Sequence, residues 1–435
     1  MMTNEHFVVL GTARPRSAWL ADVGRWSNTS MVPLEFIRCV SVDEVRSRLR
    51  SDRRFSAVLL GEDCSGLDRD IIESAREARC VPIVITDGTP RRDWVSLGVA
   101  CTLSQPLTPE DLLSALADHA FGVDRQVPSP LTQAPSDAQS VGRLIAVLGA
   151  GGTGTSTTAM AIATHFASPS QTQFRLGFER VSLLDASLNA DQALLHDLGD
   201  VVPGFQELVD LHRTTSPSPD DVRSLFWFSP RHGYDVLPGL RRHRDWCTLR
   251  RRTTLAALAS ARHAYDLVVA DTDSDFEGEE QTGSIDIEDR NLLARQLATS
   301  ADLVVVTSRA GISGVHRALQ TLRDLLELGV ESNRLLLVTI GAPRSTRQRS
   351  ELTRTILHLM DEAVPSHSLP TPVMVPIRRE IESFLNDGTA PPRSAMGSIT
   401  TAVAELLSNL DPPQVHLNAH AVPIAIVPGH LGRTA

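Results

Sequence analysis

The sequence predicts an α/β protein with mainly parallel sheets. Short apolar runs such as residues 144–148 and 301–307 recur along the chain with helical patterns between them. Strands this apolar are buried on both faces, as parallel sheets are. A glycine-rich turn, Gly149-Ala-Gly-Gly-Thr-Gly154, joins one of these runs to an alanine-rich helical stretch at 159–166. Another apolar run, 265–271, ends in an acid, Asp271. In such sheets ligands sit beyond the carboxyl ends of the strands, where the turn and this acid would meet.

In chain order, residues 1–122 read as an alternating α/β unit. Runs 7–11, 57–60 and 81–85 are short apolar strands, with helical patterns at 42–49 and 69–78 and a closing strand-and-helix segment at 98–113. Residues 123–141 are rich in Pro, Ser and Gln, the composition of a semi-extended linker. A second domain is expected over 142–410, with further strands at 181–186, 234–238, 334–340 and 371–376 and a helix at 314–328. Residues 411–435 open on Asp411-Pro-Pro413 and carry Ala421-Val-Pro-Ile-Ala-Ile-Val-Pro428; proline keeps this tail from being helical. A flexible tail, or a peptide that adds to a partner's surface, is expected there.

The chain's 435 residues leave room for more than one domain, and 42% hydrophobic with 22% charged residues suits a globular protein. A net charge of −10 argues against general nucleic-acid affinity. The five cysteines (39, 64, 80, 101 and 247) form no CxxC or metal-type spacing, so reduced core cysteines are expected. No signal peptide and no apolar run of membrane-spanning length is seen, and a cytoplasmic location is expected.

The glycine turn is the centre of the chemistry. Gly149, Gly151, Gly152 and Gly154 allow positive φ and close backbone approach. Thr155, Ser156, Thr157 and Thr158 then open a helix whose free amides and positive dipole end face one point, making a phosphate cradle or its remnant. A P-loop places lysine just before the Ser/Thr that holds Mg²⁺. Here Thr155 fills that place, and all 42 basic residues of the chain are arginine. Without that charge, efficient ATP hydrolysis is not expected.

The first quarter of the chain resembles a response-regulator receiver domain. Thr86 matches the hydroxyl residue after the fourth strand, and Gln105-Pro106 stands where Lys-Pro is usual. Gly11-Thr12 and Gly61 replace the acidic residues and the phospho-accepting aspartate, with Glu62 and Asp63 read as loop charges just beyond. The resemblance implies a pseudo-receiver that works by contact.

Residues 142–410 resemble the MinD/ParA family of deviant P-loop ATPases. Ala150 and Thr155 stand at its two lysine positions, and Asp271-Thr272 matches its Asp-Thr, with Asp273 in place of the proline that follows. Val375-Pro-Ile-Arg-Arg-Glu-Ile381 and Asn386-Asp-Gly-Thr-Ala-Pro391 match its late strand, helix and turn. The pairing of the two domains resembles the CpaE/TadZ branch, including the actinobacterial septum-site-determining (Ssd) and secretion-neighbourhood CpaE-like proteins. That resemblance implies a localisation or regulatory role, with cell-division or pilus/secretion proteins as partners and recruitment to septum or membrane-associated machinery. It also implies ATP or ADP with Mg²⁺ as cofactor and an ATP-bridged homodimer, although Ala150 lacks the lysine that reaches across that dimer.

Within this frame the candidate nucleotide-binding residues are Gly149, Gly151, Gly152, Gly154, Thr155, Ser156 and Thr157, and the candidate Mg²⁺ residues are Ser156, Asp185 and Asp271. Alternatively, Ser156 and Thr157 only satisfy helix amides and the acids are relics at strand ends. A slow, working ATPase is the rival reading. The loop also fits Gly149-x-Gly151-x-x-Gly154, the dinucleotide fingerprint, yet Asp185 comes 31 residues after Gly154 rather than about 20. Asp271, Asp273 and Asp275 mimic the start of a calcium loop, but Phe276 replaces its glycine and Thr282 its closing glutamate. Nine acids between 271 and 289 read instead as a solvated or partner-facing loop. Arg241, Arg242, Arg244, Arg250, Arg251 and Arg252 cluster around Trp246: a solvated helix face, or a patch for DNA phosphates, an acidic protein or anionic lipid.

Overall fold

A computed structural model of the chain describes residues 7–14, 17–29, 31–51, 53–122, 141–168, 176–363, 369–376, 383–384, 386–387 and 393–410. The expected tail, nearly all of the expected linker, and most of the 377–392 segment lie outside the described residues.

The first lobe holds β1 (Phe7–Thr12), α1 (Ala18–Asn28), β2 (Leu34–Arg38), α2 (Val42–Leu49), β3 (Ala57–Gly61), α3 (Arg69–Glu77), β4 (Val81–Thr86), β5 (Cys101–Ser104) and α4 (Pro109–His119). All its strand pairs are parallel, in the order β2-β1-β3-β4-β5. This is the flavodoxin-like, receiver-type order. Alternate residues of β1 and β3 divide between the faces. Val9 and Leu59 pack with α1 and α4 through Leu20, Val23, Leu112 and Leu116, while Val8, Leu10, Val58 and Leu60 pack with α2 and α3 through Val45, Ile71 and Ile72. Between β4 and β5 the chain makes turns instead of a helix, and Trp94 and Leu97 fill that face.

The second lobe runs β6 (Arg143–Gly149), α5 (Thr155–Ala167), β7 (Val181–Asp185), α6 (Gln192–Leu195), α7 (Phe205–Thr214), α8 (Pro219–Arg223), β8 (Trp227–Ser229), β9 (Tyr234–Leu237), α9 (Arg251–Ala264) and β10 (Leu267–Thr272). It continues with α10 (Glu279–Thr282), α11 (Ile285–Arg290), α12 (Leu292–Ser300), β11 (Leu303–Arg309), α13 (Ile312–Glu327), β12 (Leu335–Ala342), α14 (Thr346–Ala363), β13 (Val373–Pro376) and α15 (Arg393–Asn409). Its sheet has the order β13-β12-β11-β6-β10-β7-β9-β8, parallel except for β8 against β9. Core strand β6 sends Leu144, Ala146 and Leu148 to the face covered by α7, α9, α12 and α13. Ile145 and Val147 point to the face covered by α5 and α15.

The lobes touch through α3, which lies against α7 and α9. Arg69 donates to the carbonyls of His212 at 3.0 Å and Thr215 at 3.3 Å and to Ser216 Oγ at 3.0 Å. From the other side, Arg252 donates to Asp70 O at 3.1 Å and Ser74 Oγ at 2.6 Å and pairs with Glu77. Among the described residues no helix is long and apolar enough to cross a membrane.

Candidate functional site

Register places the glycine turn. Thr307 of β11 lies beside Gly149 of β6, and β10 pairs Asp271 with Val147 on one side and Asp185 on the other. The carboxyl ends of β6, β7, β10 and β11 therefore surround one point. Position 149 admits only glycine: a Cβ there would sit 2.2 Å from Thr307 Oγ1 and 2.6 Å from its carbonyl. Gly152 and Gly154 have φ of +77° and +89°, the left-handed region that other residues enter at a cost. A Cβ on Gly151 or Gly152 would meet nothing within 4 Å, so the mouth of the turn is open. Gly154 is the N-cap of α5 and no side chain caps the helix, which leaves the amides of its first turn aimed at that mouth.

Thr155, at the lysine position, braces the turn from within. Its Oγ1 is 2.8 Å from Thr307 Oγ1, which is 2.7 Å from Thr153 Oγ1, and Thr153 Oγ1 donates to Ala150 O at 2.7 Å. One proton assignment satisfies all of them: Thr155 donates to Thr307, Thr307 to Thr153, and Thr153 to the carbonyl. The hydroxyls form a neutral network.

A cation does reach the turn from elsewhere. Arg309, the last residue of β11, donates Nε–H to Gly152 O at 2.9 Å. Sequence reasoning missed it because a single arginine after an apolar strand reads as solvated; only the register of β11 against β6 makes it a neighbour of the turn.

The acids form a second cluster. Asp185 is buried, accepting from Gln192 N at 2.9 Å and Ser187 N at 3.4 Å. Burial, and then the neighbouring Asp271, hold its carboxyl well above the usual range. Asp271 accepts from Gln192 Nε2 at 2.7 Å, and burial pushes it up to about 6 against the opposing hydrogen bonds from Gln192 and Ser156. Gln192, another residue missed in sequence, also reaches Ser156 O at 3.4 Å, while among the described residues its buried Oε1 has no hydrogen-bond partner. The structure therefore brings Ser156, Asp185 and Asp271 together, with Gln192 at their centre. Thr157 enters neither network.

Other sequence candidates resolve differently. Asp273 accepts from Leu188 N at 2.7 Å and Asp275 pairs with Arg290, so the calcium-loop mimic is spent on internal contacts. Among the described residues no group of His, Cys, Asp and Glu is disposed to hold a metal ion by itself. Three of the six arginines are paired, Arg241 with Glu207, Arg251 with Glu288 at 2.9 Å, and Arg252 with the first lobe, while Arg242, Arg244 and Arg250 are exposed. In that lobe Glu62, read as a solvated loop charge, accepts from Arg91 N at 2.6 Å and Trp94 Nε1 at 2.9 Å and pins the β4–β5 turns. Asp63 lies 3.5 Å from Arg14, and Thr86 is buried, donating to Gly88 O at 3.1 Å.

The sequence matches no protein-family model and no curated protein. Among solved structures it is similar to a plasmid partition protein from Borrelia burgdorferi bound to AMPPNP, at 13% identity over 62% of this chain and 99% of that one, TM-score 0.44. It is also similar to the cell division ATPase MinD of Pyrococcus furiosus, at 17% identity over 62% of this chain and 100% of that one, TM-score 0.44. A response-regulator receiver protein from Sinorhizobium medicae matches at 20% identity over 27% of this chain and 95% of that one, TM-score 0.23.

Proposed function

We propose that this chain is a nucleotide-binding positional regulator of the MinD/CpaE type. On this reading it places or restrains septum or pilus/secretion machinery through protein contacts and lacks efficient ATP hydrolysis. One observation carries the proposal: the turn keeps an open backbone cradle while a neutral hydroxyl network occupies the lysine position. Backbone amides at the start of α5 are placed to hold phosphate oxygens. Ser156, Asp185 and Asp271 fit Mg²⁺, a hard cation that takes oxygen ligands, and they stand beside that cradle. Bound there, Mg²⁺ would neutralise phosphate charge.

Binding and turnover separate at Thr155. Phosphoryl transfer relies on positive charge placed where negative charge develops, and a hydroxyl supplies none. The first lobe is then a contact module, since Gly11, Thr12 and Gly61 lack the carboxylates of a phospho-accepting site. A membership in the CpaE/TadZ branch, the domain division at 122 and 142, a cytoplasmic location and a homodimer belong to the same proposal. The pairing of Arg241, Arg251 and Arg252 with carboxylates weighs against the DNA-binding alternative.

Calorimetric titration of the full chain with Mg-ATP and Mg-ADP, with Gly152→Val as control, tests the reading. Micromolar binding abolished by the substitution is expected. No heat at millimolar ATP would overturn it and leave a scaffold that acts by its surfaces alone.

A further inference from the structure

We infer that Arg309 is the phosphate-binding cation of this site, reaching the terminal phosphates of a nucleoside triphosphate from β11 in place of lysine; the inference rests on the reading of the turn as a nucleotide cradle. The backbone of Arg309 is held firmly. Ala310 N donates to Ile340 O at 2.9 Å, continuing the β11–β12 ladder, and Gly311 N donates to Arg309 O at 2.8 Å. A Cβ at Gly314 would fall 2.2 Å from Arg309 O, so the first turn of α13 closes directly on this residue.

The side chain lies across the turn. Its Nε spends its proton on the Gly152 carbonyl at 2.9 Å. Among the described residues no carboxylate pairs with the guanidinium, and its Nη groups make no hydrogen bond. An arginine anchored through Nε presents its paired Nη donors as a fork, the geometry that takes two phosphate oxygens at once.

The charge around the mouth calls for such a group. Asp185, Asp271 and Asp273 crowd the β7 and β10 side. Thr153, Thr155 and Thr307 on the other side are neutral and already bonded to one another. A triphosphate brings several negative charges, which backbone amides alone offset only in part. Gln192 gives Nε2 to Asp271 and Ser156 O, and among the described residues its buried Oε1 has no partner, an independent sign of a site with room for a further donor or cation. Arg309 therefore supplies discrimination by phosphate number, favouring triphosphate over monophosphate; a contact made equally in ground and transition state strengthens binding without speeding hydrolysis.

The test is equilibrium binding of Mg-ATP, ADP and AMP to the full chain and to its Arg309→Ala, Arg309→Lys and Gly152→Val variants, with a melting curve for each. Arg309→Ala is expected to weaken ATP by ~10- to 100-fold, the worth of a charged hydrogen-bond pair, and AMP by less than about threefold, at an unchanged melting temperature. Arg309→Lys should restore part of the loss. If the unaltered chain binds no nucleotide, the nucleotide reading fails and this inference with it. If it binds ATP and Arg309→Ala binds equally well, only the role of Arg309 is overturned. Equal losses for ATP and AMP would likewise overturn it, reducing Arg309 to a prop for the Gly152 carbonyl.

Discussion

His196 should make the second lobe acid-sensitive in a window that the geometry defines. It follows α6, buried, with Nδ1–H donating to Gln192 O at 2.8 Å and Nε2 accepting from Tyr234 O–H at 2.8 Å. These bonds fix one neutral tautomer, and a second proton on Nε2 would force the Tyr234 hydroxyl proton out of its bond. The His232 ring packs 4.6 Å away. Burial first, with His232 adding to it, pushes the His196 imidazole from 6.5 down to about 4, against the hydrogen bond to Gln192 that raises it. The unfolded chain therefore takes up the proton first. Stability is whole above pH 6.5 and falls as pH drops from there to about 4, by ~3 kcal/mol at 1.36 kcal/mol per unit. Asp271 works in the opposite sense: its folded value of about 6 lies above the unfolded one, so acidification from 6 towards 4 adds stability. The difference between the chain and His196→Gln isolates the histidine. Urea midpoints measured between pH 7.5 and 4.5 should show the steeper acid loss only with His196 present. Parallel curves for the two proteins would refute the reasoning. Because α6 also carries Gln192 to Asp271, hydrogen exchange at 192–196 should quicken in the same window.

Further predictions follow from the networks around the turn and between the lobes. Thr307→Val keeps the volume but removes the hub hydroxyl, and should cost ~1–2 kcal/mol with faster exchange at 149–155; an unchanged denaturation midpoint would contradict the network. Arg252→Ala removes the bonds to Asp70 O and Ser74 Oγ and uncovers Glu73, whose acid burial already raises. It should weaken lobe docking by ~2 kcal/mol, read as faster exchange in both α3 and α9, and unaltered exchange would count against that interface. Of the five cysteines only Cys247 is exposed, while Cys39 is buried and its thiol pushed up to about 11. Thiol titration at pH 8 should find one fast-reacting group, lost in Cys247→Ser; several fast groups would mean that the cores are more open than described.

The parts of the fold carried by apolar runs were legible in the sequence. Residues 144–148, 265–271 and 301–307 could only be buried strands, and the glycines after Leu148 could only be a turn that backbone approaches closely. What escaped lacks such a signal. β2 is a half-buried edge strand, Leu-Glu-Phe-Ile-Arg, and β8 has three residues, too few for any period to show. Asp185 and Asp271 were legible as acids ending strands. Gln192 and Arg309 were not, because an amide in a loop and an arginine at a strand end look solvated until register makes them neighbours of the turn. The partners of Arg241, Arg251 and Arg252 were hidden for the same reason, since Glu207, Glu288 and Glu77 lie far along the chain.

The cradle is proposed to bind nucleotide without turning it over, and one sample can test both halves. The full chain, loaded with γ-labelled Mg-ATP, would be followed for bound nucleotide and for released phosphate over hours. Saturable binding is expected, with phosphate release no faster than the protein-free background. Turnover approaching the ~1 s⁻¹ of working enzymes would contradict it, and so would the absence of bound nucleotide at millimolar concentration.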